Sequence, residues 1–153
     1  MSFFRSLEIS GSALSAERRR IQVLASNMAN AHTTRTAEGG PYRRKDVVFE
    51  PVPANTFSGF LAEEMAGDAS TEATNEKLDG VRVAEVVTDP SPPTLVYDPN
   101  HPHANTDGYV AYPNVNPISE MVNLLSATRS YEANVAAVQA AKQMARRALD
   151  IGQ

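Results

Sequence analysis

The chain has 153 residues, with 14 Lys plus Arg against 18 Asp plus Glu, a formal net charge of -4, 42% hydrophobic residues and no cysteine. That is the size of one domain. The negative balance argues against a surface that grips nucleic acid throughout, and the missing cysteines remove disulfide frameworks, zinc ribbons and cysteine nucleophiles.

All ten prolines lie between Pro41 and Pro117, so long helices are confined to the two ends. Charge divides the same way: residues 1–35 carry five cations and two anions, residues 36–117 five and thirteen, and residues 118–153 four and three. This predicts an α+β chain in three parts: an N-terminal helical arm (1–35), a small β-rich middle (36–117) and a C-terminal helical arm (118–153). The two arms are expected to pair as an antiparallel coiled coil.

In the first arm Leu7, Leu14, Ile21 and Met28 recur every seven residues, with Leu24 and Ala25 at intervening steps, which predicts a helix from about Phe3 to Ala31. Ser10, Gly11 and Ser12 interrupt its apolar character, so no cleaved signal peptide is expected. The longest uncharged run, Ile21 to Thr34, is too short and too polar to span about 30 Å of hydrocarbon. Arg18, Arg19 and Arg20 fan over roughly 200° of the helix and cannot share one phosphate backbone. Asn27 and Asn30 share a face, either capping the helix end or fixing register across a helix contact.

In the middle, Gly39-Gly40-Pro41 reads as a turn, followed by a strand over Tyr42 to Phe49. Residues 54–79 lack any period and are expected to form a flexible insertion, with a short helix around Phe60 to Met65. Short strands are expected around Val81 to Val87, Thr94 to Tyr97 and Gly108 to Tyr112. The loop from Asp98 to Gly108 invites a metal reading, but its Asp, Asn, Pro and Gly are turn formers in no metal-ligand spacing. No phosphate loop, serine elbow or helical histidine pair is present. No catalytic, cofactor-binding or metal-binding residue is therefore assigned.

In the C-terminal arm eight alanines and strong helix formers run from Ile118 to Ile151, with Ser119 as the expected start and Gly152 the stop. One heptad row holds Met121, Thr128, Val135, Lys142 and Leu149, and a second holds Leu124, Tyr131, Val138, Ala145 and Gly152, broadened by Leu125 and Ala141. Two such arms leave apolar flanks in a monomer, which marks an interface with copies or relatives of the chain.

Two runs carry a family resemblance. Ala25-Ser26-Asn27-Met28-Ala29-Asn30 with Thr33 and Thr34, and Glu120-Met121-Val122 with Ala127, Arg129, Tyr131, Glu132, Ala133 and Asn134, resemble the terminal signatures of bacterial flagellar axial proteins, in particular the basal-body rod proteins. Gly39 to Lys45, Asp98 to Pro102, Gly108 to Val110 and Pro113 to Asn116 resemble the proximal-rod members of that family. The resemblance implies a structural subunit, exported by the flagellar type III apparatus without a cleaved signal and assembled in the periplasm into a hollow, torque-transmitting shaft. Its implied partners are copies of itself, other rod subunits, membrane-ring and export-gate adapter proteins at the rod base, and the distal rod, with no nucleic acid. The expected subunit contacts are Leu7, Leu14, Ile21, Leu24, Asn27, Met28, Asn30, Met121, Leu124, Leu125, Arg129, Tyr131, Asn134, Val135, Val138 and Leu149. The rival reading is a soluble ligand- or metal-binding module on a helical dimerisation stalk; a peptidoglycan hydrolase lacks a convincing carboxylate pair or zinc site.

Overall fold

The computed structural model describes residues 3–53 and 78–151. The elements are α1 (Phe3–Ala29), β1 (Lys45–Pro53), β2 (Leu78–Thr88), β3 (Thr94–Tyr97), β4 (Tyr109–Tyr112) and α2 (Pro117–Ile151). This is the α+β arrangement of two long terminal helices around a small β-rich middle. The expected insertion and the Phe60–Met65 helix lie outside the described residues, except that Leu78 and Asp79 belong to β2.

α1 and α2 pack together, with the last turn of α1 against the first turn of α2 at Asn27 and Glu120. The side chains that α1 buries are Ala16, Val23, Leu24 and Asn27; those of α2 are Glu120, Ala127 and Ala141. The seam on α2 therefore runs through positions 120, 127 and 141, with Leu124, Tyr131, Val138 and Ala145 half-buried beside it. That corrects the expected row at Met121, Thr128, Val135, Lys142 and Leu149, which lies one residue later. Alanines bring the helix backbones close, while Met121 and Leu149 stay exposed. A pattern read by side-chain size favours the larger residues and so shifts the seam.

α1 ends where Asn30 folds back, its Nδ2 donating to Ser26 O at 2.9 Å. α2 begins two residues before the expected Ser119. Asn116 caps it, Oδ1 accepting from the Ile118 amide at 3.0 Å, and Pro117 occupies the first helical position, where a missing N–H costs nothing.

β1 and β2 form an antiparallel hairpin with irregularities at Val48/Phe49 and Val52/Pro53. Val47, Phe49, Val52, Val81, Val83 and Val86 are its less exposed positions, and α1 packs on both strands. The Arg20 guanidinium lies 6.0 Å from the centroid of the Phe49 ring, whereas Arg18 and Arg19 face solvent. β1 begins three residues later than expected because Tyr42 to Arg44 are drawn toward α1, the Tyr42 amide donating to Thr33 O at 3.0 Å. Gly39 and Gly40 turn the preceding loop with φ of 88° and 75°, a region open to glycine.

β3 and β4 pair as a second antiparallel hairpin. Their loop is built on side chains that accept from nearby backbone amides: Asp98 from Asn100, and Asn105 from both Asp107 and Tyr109. Thr34 Oγ1 and His103 Nδ1, 2.8 Å apart, tie this loop to the segment after α1.

β2 meets α1 at Ser12, whose Oγ donates to Ile9 O at 2.7 Å and accepts from the Val81 amide at 3.1 Å. A Cβ added at Gly80 would stand 2.5 Å from that Oγ and 3.2 Å from Ser12 Cβ. Gly80→Ala is therefore expected to destabilise the fold by about 1–3 kcal/mol. Gly11→Ala, which adds a methyl into open space on a helix, should stabilise it by about 0.5–1 kcal/mol. Urea denaturation of the two variants checks the opposite signs.

Candidate functional site

The most constrained point of the chain is the crossing of α1, α2 and the loop before β1. Asn27 has 0% and Glu120 2% of its surface exposed. A buried amide is tolerated only when its donors and acceptor are used, and at Asn27 all are. Its Nδ2 donates to Lys45 O at 2.7 Å and to Glu120 Oε2 at 3.0 Å. Its Oδ1 accepts from the Lys45 amide at 3.0 Å and from the Tyr42 hydroxyl at 2.9 Å. The side chain thus takes the place of a neighbouring strand for Lys45, holding both its backbone groups.

Glu120 completes the hub from α2. Its Oε1 accepts from Arg44 Nε at 2.8 Å, and Arg44 Nη1 also reaches Asp46 at 3.2 Å. The guanidinium is pushed above its ordinary value, chiefly by the hydrogen bond to Glu120, against the opposing effect of burial. Position in the first turn adds the positive end of the helix dipole to the stabilisation of the carboxylate. Nearby, the hydroxyl and then the amide of Ser91, with Arg44 beyond, hold the Asp89 carboxyl below the usual range.

The residues expected at subunit contacts fall into two groups. Within this one chain Leu24 and Asn27 are buried, and Leu7, Leu14, Ile21, Asn30, Leu124, Tyr131, Asn134, Val135 and Val138 are half-buried. The Asn134 amide is spent on its own helix, donating to Ser130 O at 2.9 Å. Met28, Met121, Leu125, Arg129 and Leu149 face outward. Ile118, Met121, Val122 and Leu125 form one apolar row on α2, with Leu125 56% exposed. Ile118 and Val122 belong to that row by their spacing of three and four residues, a signal present in the sequence but masked by the heptad reading. Leu95, Tyr97 and Tyr109 share a second exposed apolar face on the β3–β4 hairpin.

Among the described residues no group of three or more His, Asp or Glu could hold a metal ion, and no helix is long and apolar enough to cross a membrane. The arrangement holds a shape and presents surfaces.

Residues 7–35 match the family model described as flagella basal body rod protein, and residues 106–151 match the one described as flagellar basal body rod FlgEFG protein C-terminal. Over the whole of both chains, the sequence is 46% identical to the flagellar basal-body rod protein FlgC of Bacillus subtilis. It is 39% identical to that of Salmonella typhimurium over all of both chains, and 40% identical to that of Borreliella burgdorferi over all of this chain and 99% of the relative. The chain belongs to the flagellar basal-body rod protein family. In this rod protein the two matched segments cover α1 from Leu7 onward and the whole of α2, and each contributes one buried member of the hub, Asn27 and Glu120.

Removing the Asn27 amide strands Lys45 N and O and one Glu120 oxygen, at about 1–3 kcal/mol for each group left without a partner, while the Tyr42 hydroxyl keeps Ser26 Oγ at 3.4 Å. Asn27→Ala should therefore destabilise the fold by at least about 3 kcal/mol, against less than about 1.5 kcal/mol for Asn30→Ala, which loses a partly exposed cap. Equal losses in denaturant melts of the two variants would contradict the central place of Asn27.

Proposed function

We propose that this rod protein is a non-catalytic subunit of the proximal rod, exported without a cleaved signal by the flagellar type III apparatus and built, in the periplasmic space, into the hollow helical shaft that transmits torque. Full-length similarity to rod proteins of the same size carries this reading. Supporting it is the apolar row on α2, which stands exposed among the described residues.

In this reading the arms 1–35 and 118–153 form the helical body and the middle 36–117 decorates it. The hub keeps the two helices in fixed register, so a load applied to one is carried to the other through buried hydrogen bonds and an ion pair. Met28, Met121, Leu125, Arg129 and Leu149 then meet neighbouring subunits: copies of the chain, other rod subunits, the ring and export-gate adapter proteins at the base, and the distal rod. A contact between unlike patches does not close on itself and so builds a helical stack.

Leu125→Asp puts a charge into the outward row without touching the seam. It should abolish motility and rod assembly while leaving expression and the far-ultraviolet dichroism of the chain intact. Val135→Asp, at a half-buried position, should impair the fold as well. Normal motility of the Leu125→Asp strain contradicts the assignment of this face.

A further inference from the structure

We propose that the hub makes pairing of the two terminal helices conditional on the folded β1–β2 hairpin, so that the arms dock with the middle or after it and never before. The inference rests on the network alone and does not depend on how the chain is exported or assembled.

Docking α2 on α1 takes the Glu120 carboxylate out of water, since only 2% of the residue remains exposed. Desolvating an ion costs several kcal/mol unless a counter-charge and hydrogen bonds replace the lost water. α1 offers it a neutral amide alone, Asn27 Nδ2 at 3.0 Å. The apolar return on α2 is modest, because its buried hydrophobic side chains are Ala127 and Ala141 and the larger Leu124, Tyr131 and Val138 are only half-buried. Pairing of the helices by themselves would thus strand a charge for little apolar gain.

The cation comes from elsewhere. Arg44 Nε reaches Glu120 Oε1 at 2.8 Å from the loop before β1. Arg44 is anchored to the hairpin through its backbone: its carbonyl accepts from the Asp89 amide at 2.8 Å, directly beyond the Lys45–Thr88 pair that closes the β1–β2 ladder. Forming the hairpin therefore places Arg44, and Arg44 makes burial of Glu120 favourable. A chain whose middle is unfolded holds its arms apart, and one whose middle is folded locks them.

Hydrogen exchange of the full-length chain, read amide by amide, tests this. Arg44→Leu should lower protection in α1 from Arg20 to Ala29 and in α2 from Glu120 to Tyr131 by at least about tenfold, while Val48, Glu85 and Val87, in the bonded pairs of the hairpin, keep theirs. Arg44→Leu with Glu120→Gln has no charge to bury and retains an acceptor for Asn27, so arm protection should return to within about threefold of the original chain. Unchanged arm protection in Arg44→Leu overturns the proposal. So does simultaneous loss of hairpin protection in that variant, which would mean one cooperative unit, and so does failure of the double substitution to restore the arms.

Discussion

A carboxylate buried between two helices needs a cation and a full set of donors, and the rest of this molecule is arranged around meeting that need at Glu120. Asn27 and Arg44 supply them from opposite directions, at 3.0 and 2.8 Å. Because Asn27 also holds both backbone groups of Lys45, three segments far apart in sequence meet at one point: the end of α1, the entry to β1 and the start of α2. Beyond that point the side chains that α2 buries are Ala127 and Ala141, with Leu124, Tyr131 and Val138 half-buried beside them. Close backbone approach gives the helices contact without much apolar area, so register is set by the polar hub more than by the seam.

This division of labour explains how much the amino-acid sequence reveals. The proline distribution places both long helices correctly, because proline excludes helix interiors for a local steric reason. The short strands are legible from their apolar runs, and the loop from Asp98 to Gly108 that joins β3 to β4 from local turn chemistry. On α2 the row from Leu124 to Ala145, with Ala141, lies at the seam as its spacing predicts, whereas the row from Met121 to Leu149 is one residue late: Ala127 holds its buried position by being small, which periodicity of large apolar residues does not register. Arg44 and Glu120 are invisible as a pair: 76 residues separate them, and each reads locally as an ordinary polar residue, one after a glycine turn and one in a helix's first turn. The three-residue spacing of Asn27 and Asn30 leaves two roles open, a helix cap or a register contact. The structure divides those roles, with Asn30 bonding back to its own helix and Asn27 reaching across to Lys45, Tyr42 and Glu120.

The outward surfaces are a different matter from the hub. Buried polar groups confer specificity within the subunit, whereas the exposed row from Ile118 to Leu125 and the patch around Tyr97 are apolar area left for something else to cover. In a rod protein the separation is mechanically sensible. Under the proposed torque-transmitting role, a contact between subunits is useful only if each subunit resists internal sliding of its helices, and a saturated asparagine with a buried ion pair opposes such sliding at a defined register.

The absence of cysteine from the chain makes a direct test simple, since a single introduced thiol reports one position. In isolated basal bodies, a short thiol crosslinker should join Leu125→Cys to adjoining rod subunits and leave Leu24→Cys, buried inside the helix pair, unjoined. Crosslinks between subunits from position 24, with none from position 125, would contradict a hub-locked helix pair that meets its neighbours through the outer face of α2.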